Sequence, residues 1–184
     1  MPRYDFRIDG RELLVIDDVL PPARIGNLAT FFDFAEARRV ESDSAGGIDA
    51  RSWIVPLEND IASRQPYYEA ILREVATSFA GETFTLKRAY CNVVSFGDIL
   101  LPHRDSSSDS DVTALLFVAE TWDRAWGGET IFYNDAGDAV HAVSPRPGRL
   151  VLFRSAIEHR GTPPSRLCTR TRLTLALKLT GSPS

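Results

Sequence analysis

The second half of the chain is a succession of short strand-like runs, and nothing else in the sequence constrains the fold as much. Strands are expected at Thr83–Val94, Val112–Val118, Glu129–Tyr133, Ala139–Val143, Leu150–Phe153 and Arg170–Leu179. Turn-forming clusters separate them: Phe96-Gly97-Asp98, Trp126-Gly127-Gly128, Asn134-Asp135-Ala136-Gly137 and Pro145-Arg146-Pro147-Gly148. Short strands at this spacing fold as an antiparallel sandwich or barrel. The expected class is mainly β with flanking helices.

The first part, to about residue 83, reads differently. Glu12–Ile16 is a buried strand stopped by Asp17-Asp18. Pro21-Pro22 opens a helix through about Ala37, with Ile25, Leu28, Ala29 and Phe32 at helical spacing. A second helix follows Pro66 and carries Tyr67, Ile71, Leu72, Val75 and Phe79 on one face. Between them, Glu41–Asp49 is rich in Ser, Asp and Gly, a surface loop or a lid over substrate. The 184 residues fit one domain, 1–184, with a helical support region 1–83 and a β core 84–179. The helices would cover one sheet.

Composition argues against some roles. Net charge is -4 and Lys and Arg are scattered, so neither nucleic acid nor an anionic membrane is an expected partner. Cys91 and Cys168 lie far apart in apolar runs and read as buried thiols. Met1–Asp5 shows no charged leader followed by an apolar run, and no stretch approaches membrane-spanning length. A reducing cytoplasm is the expected location. The sequence leaves oligomeric state open.

Chemistry points to three residues. His103 is followed two positions later by Asp105, and His159 comes after the strand Leu150–Phe153. Residues two apart on a strand point the same way, so His103 and Asp105 can reach one metal. Two imidazoles and a carboxylate on one face of an octahedral ion leave three positions open, a set that suits non-heme Fe(II). His-x-Asp by itself is a weak signal, and the context decides. The third histidine, His141, sits inside Ala139–Val143 and reads as structural.

The context resembles the Fe(II)/2-oxoglutarate-dependent oxygenase superfamily, and within it the small prolyl-4-hydroxylase-like group. The matching stretches run in the family's order. They are Val15-Ile16-Asp17-Asp18-Val19-Leu20-Pro21, His103-Arg104-Asp105, Val112–Val118 and Trp126-Gly127-Gly128-Glu129-Thr130-Ile131-Phe132. Then come Val143–Phe153 with its Pro-x-x-Gly entry, His159-Arg160-Gly161-Thr162-Pro163 and Arg172-Leu173-Thr174. The resemblance implies a double-stranded β-helix (a jelly roll, cupin-like) covered by the N-terminal helices. It implies Fe(II) on His103, Asp105 and His159, with 2-oxoglutarate and O2 as cosubstrates.

In the family a late arginine pairs with the distal carboxylate of 2-oxoglutarate, which a guanidinium fork recognises bidentately. Arg172, with Thr174, fits the family's Arg-x-Ser/Thr pattern; Arg170 is nearer the usual spacing and shares its strand face. Arg172 is the first choice. Tyr90 and Asn92 are candidates for further cosubstrate contacts. Leu100 stands where many relatives carry a tyrosine, which leaves Tyr90 to supply a hydroxyl. Glu129 and Thr130 read as hairpin residues, and Arg104 as a salt-bridge or substrate-contact residue. Trp53, Trp122 and Trp126 read as packing residues, with a substrate-facing role for one of them as the next choice. Ser106–Asp111 reads as a mobile polar stretch able to gate the site.

The implied reaction is hydroxylation of an unactivated C–H bond with formation of succinate and CO2. Asp105 argues against halogenation, which needs a small residue there. The substrate class expected is a small molecule, an amino acid or a short peptide. The residues alone leave alternatives: a cupin-like metal enzyme that does not use 2-oxoglutarate, or a non-catalytic jelly-roll module binding sugars or peptides. A zinc hydrolase shares the ligand set, but no residue is placed as its general base.

Overall fold

The chain opens with the hairpin β1 (Arg3–Ile8) and β2 (Arg11–Ile16), followed by α1 (Pro22–Phe34), β3 (Arg38–Ser42) and β4 (Arg51–Leu57). The short α2 (Asn59–Ser63) and α3 (Pro66–Ser78) lead into the β-rich half. There β5 (Glu82–Val94), β6 (Val112–Val118), β7 (Thr130–Tyr133), β8 (Ala139–Val143), β9 (Leu150–Arg154), β10 (His159–Gly161) and β11 (Arg172–Pro183) follow in order. These elements belong to a computed structural model, which describes residues 1–42, 51–63 and 65–183. The proposed lid at Glu41–Asp49 falls, from residue 43 on, outside the described residues.

The strands make two sheets. One has eight strands in the order β1-β2-β9-β6-β11-β5-β4-β3, and the other three in the order β10-β7-β8. All pairs are antiparallel. Alternation along β11 sorts the two faces of the large sheet. Leu173, Leu175, Leu177 and Leu179 join the core that contains Ile25, Ala29 and Phe32 of α1 and Ile71 and Val75 of α3. Ala176 joins a second core with Tyr90, Leu115, Phe117, Phe132 and Phe153, which draws on both sheets. This is a jelly roll with helices over its large sheet. β6, central and covered on both faces, is buried at each of its 7 residues, which is why it reads as a continuous apolar run.

The structure adds what the sequence pattern did not announce. β1, β3, β4 and β10 were not anticipated. β1 and β3 are edge strands with charged residues, and they exist because a neighbour pairs with them. The support region is therefore more than a helical cover, since β1–β4 lie in the same sheet as β5, β6, β9 and β11. The first helix stops at Phe34 rather than Ala37, because Ala35 is extended (φ -75, ψ 149) and leads toward β3. β11 starts at Arg172, not Arg170, a difference that matters for the site. Both cysteines are buried and free. Among the described residues no helix is long and apolar enough to cross a membrane.

One buried ion cluster ties the hairpin to the core. Asp17, at the end of β2, accepts hydrogen bonds from Arg149 Nε (2.6 Å) and Nη2 (3.0 Å) and from Arg146 Nη1 (3.1 Å). The Arg149 hydrogen bond holds its carboxyl below the ordinary value despite burial. Asp17→Asn is expected to cost about 2 kcal/mol of unfolding free energy in urea at pH 7. A depressed carboxyl stabilises above its unfolded value and loses that contribution as pH falls through the folded value. The variant should therefore lose less stability than the parent chain on acidification below about pH 4.

Candidate metal centre

His103 and His159 are brought together by the backbone. Each amide donates to the other's carbonyl, at 3.0 and 2.9 Å, as an isolated antiparallel bridge. Directly opposed residues in such a pair share a face, and the two ring centroids lie 4.6 Å apart. Asp105, two residues on, has its amide on the Ser155 carbonyl at 3.0 Å, so its side chain returns to the same face. The ligating atoms of the three residues lie within 4.8 Å of one another.

Hydrogen bonds set the tautomers. His103 Nδ1 lies 2.9 Å from the Leu101 carbonyl and His159 Nδ1 3.0 Å from the Ile157 carbonyl. A carbonyl only accepts, so both Nδ1 atoms carry the proton and Nε2 is the nitrogen of each ring that can ligate a metal. Those Nε2 atoms stand 3.5 Å from Asp105 Oδ1 and Oδ2 respectively. Burial pushes the His159 imidazole down to about 3, so it is a neutral donor at working pH. Its ring is packed between Phe132 (5.9 Å, stacked) and Phe153 (4.6 Å, edge-on). The donor set and its orientation fit Fe(II), held by these three residues with further positions open.

The Asp105 carboxylate is buried in a polar network. Oδ2 accepts from Thr113 Oγ1 (2.6 Å) and from Lys178 Nζ, and Ser155 Oγ lies 2.9 Å from Thr113 Oγ1. Burial by itself would raise this carboxyl; the Lys178 charge holds it well below the usual range.

Tyr90, Asn92, Leu100, Thr130, Arg172 and Thr174 line one cavity with His103 and His159. Arg172 is 3% exposed. Its Nη1 donates to Thr174 Oγ1 (3.0 Å), its Nη2 to Thr130 Oγ1 (2.8 Å) and its Nε to the Gly128 carbonyl, while the guanidinium lies over Phe117. Among the described residues it makes no ion pair with a carboxylate. Burial lowers it to about 10, still cationic at neutral pH. A buried cation held by neutral groups beside a metal triad fits a ligand carboxylate, such as the distal one of 2-oxoglutarate. Gly161 makes room: a Cβ there would stand 3.2 Å from Arg172 Nη1.

Arg170, the competing arginine, is outside this cavity. It is exposed, 3.8 Å from Glu120, in a separate groove beside α1. Thr130, read from sequence as a hairpin residue, faces the cavity and contacts Arg172. Lys178 and Thr113 were missed, although counting by two along β11 from Arg172 through Thr174 and Ala176 leads to Lys178. Of the two roles open to Arg104, the structure shows the ion pair, with Asp135 at 3.1 Å, and a bond to the Ala156 carbonyl. His141 packs on Phe6, with centroids 4.2 Å apart. Trp122 and Trp126 meet edge to face at 5.4 Å, and Trp53 is exposed. Ser106–Asp111 is tied down rather than loose. Ser106 Oγ bonds Asp111 Oδ2, Arg154 reaches the Ser110 carbonyl, and Asp109 pairs with Arg11.

A jelly roll with two histidines and a carboxylate beside an enclosed arginine defines the scaffold of a non-heme metal oxygenase. The family model of the 2OG-Fe(II) oxygenase superfamily matches residues 89–177. Residues 89–177 therefore carry a 2OG-Fe(II) oxygenase domain, and the match supports an enzyme dependent on Fe(II), 2-oxoglutarate and O2. Solved structures share its fold. A Pseudomonas putida prolyl-4-hydroxylase is 18% identical, with 91% of each chain covered and a TM-score of 0.64. HygX from Streptomyces hygroscopicus, solved with nickel and 2-oxoglutarate, is 15% identical over 91% of this chain and 82% of that one (TM-score 0.66). A Trichoplax adhaerens prolyl hydroxylase in complex with a hypoxia inducible factor peptide fragment is 16% identical over 91% and 83% (TM-score 0.62). Comparison with curated proteins found no match.

Proposed function

We propose that this enzyme hydroxylates an unactivated C–H bond of a small molecule, amino acid or short peptide, converting 2-oxoglutarate and O2 to succinate and CO2. One observation carries the reading: the buried Arg172, which makes no ion pair with a carboxylate among the described residues, opens onto the same cavity as His103 and His159. His103, Asp105 and His159 would hold Fe(II), and Arg172, backed by Thr130 and Thr174, would take the far carboxylate of 2-oxoglutarate. Bound Fe(II), with 2-oxoglutarate and O2, supplies the oxidising power that side chains lack. The protein's share is orientation and exclusion of water. Phe132 and Phe153 wall the His159 side, and Tyr90 and Asn92 offer polar contacts within the cavity. The placement of β1–β4 in the large sheet supports reading 1–184 as one oxygenase domain. One of the solved structures that share the fold, the Trichoplax prolyl hydroxylase, is in complex with a peptide fragment.

The test is anaerobic addition of Fe(II) and 2-oxoglutarate, followed by a screen of amino acids, short peptides and small metabolites for succinate release. A visible charge-transfer band and substrate-dependent succinate are expected. Iron binding without a band would favour the cupin-like alternative. No iron binding would move the binding-module reading to the front.

A further inference from the structure

The metal ligand Asp105 is held from behind by a lysine. Lys178 lies on the inward row of β11, and its register partners are Thr113 on β6 and Arg88 on β5. Lys178 and Thr113 both donate to the same carboxylate oxygen, Oδ2. Oδ1 takes neither of these bonds; it stands 3.5 Å from His103 Nε2, and Oδ2 stands as far from His159 Nε2. The lysine side chain is 15% exposed and its ammonium stands 5.7 Å from the Tyr90 ring centroid, so it is confined on more than one side. A buried ammonium on a carboxylate does two things at once. It fixes which oxygen is free, and it withdraws electron density from the group that donates to the metal.

We propose that Lys178 is a positioning residue that pins Asp105 through Oδ2, presents Oδ1 as a single donor, and weakens that donor with a fixed positive charge. The inference rests on the metal-site reading above. Its consequence is electronic. Without the charge, Asp105 donates more strongly, the iron d electrons rise in energy, and their transition into 2-oxoglutarate needs less energy. Arg172, the other buried cation of the cavity, contacts Gly128, Thr130 and Thr174 and not the triad, so it does not substitute for this role.

The experiment compares the Fe(II)–2-oxoglutarate band, formed anaerobically, in the parent chain, Lys178→Met, Lys178→Gln and Lys178→Arg. The two neutral variants should move the band to longer wavelength, and Lys178→Arg, which keeps the charge, should restore it toward the parent position. A side chain that serves stability alone would lower the melting temperature and leave the band where it was. A band unmoved in either neutral variant that folds overturns the proposal. If neither neutral variant folds, Lys178→Arg decides by the same band: the parent position supports the proposal, and a shift to longer wavelength despite the retained charge overturns it. Absence of a band in the parent chain removes the premise, and fails both this inference and the function on which it rests.

Discussion

Asp105→Ala and His103→Ala are expected to abolish Fe(II) binding, and with it all succinate formation. Loss of an outer hydrogen-bond partner of a metal ligand typically costs about 10- to 100-fold in affinity. Removing a ligand itself should exceed about 100-fold, because only two donors then remain where three had converged within 4.8 Å. The two variants differ in their effect on the apo-protein. Asp105→Ala strands Lys178 as a buried cation without its carboxylate, which should cost about 3 kcal/mol or more of stability. His103 is only partly buried, and its removal should leave the apo-protein near parental stability. Anaerobic Fe(II) titration beside thermal melts separates the two effects. An Fe(II) affinity within tenfold of the parent in folded His103→Ala would sink the triad assignment.

Arg172→Ala is expected to raise the KM for 2-oxoglutarate by at least about 30-fold while leaving Fe(II) affinity within a few-fold. Truncating one member of a buried, hydrogen-bonded charge pair costs about 2–5 kcal/mol, and each 1.4 kcal/mol is about tenfold. The metal ligands do not touch Arg172, so its loss falls on the cosubstrate alone. Arg172→Lys should recover only part of the affinity, since an ammonium cannot span Thr130, Thr174 and a carboxylate as the planar fork does. Arg170→Ala is the control and should leave the KM unchanged, because Arg170 faces Glu120 outside the cavity. If Arg170→Ala raised the KM and Arg172→Ala did not, the cosubstrate assignment would be wrong.

The β-rich half was legible because its strands are buried on one or both faces and so carry a strong pattern. β6 and β8 have the bounds expected from sequence, and β5, β7 and β9 differ by one residue at an end. The Asp17 cluster with Arg149 and the mutual backbone bonds of His103 and His159 were not legible. Both depend on segments far apart in sequence. Arg170 and Arg172 show the boundary well. The two-residue repeat put them on one face, but β11 begins only at Arg172, so the alternation does not extend back to Arg170.

The sequence by itself determined the class of fold, the three residues that converge as a candidate metal site, and the chemistry their side chains suit. Periodicity and side-chain type are local properties, readable wherever a strand is well buried. Only the tertiary structure decided which arginine is enclosed, that Thr130 backs it, and that Lys178 stands behind Asp105. Each of these is a matter of register between strands distant in the chain. Register is set by which face of each strand the core must bury, and a shift of one residue would turn Lys178 out of the barrel and away from Asp105.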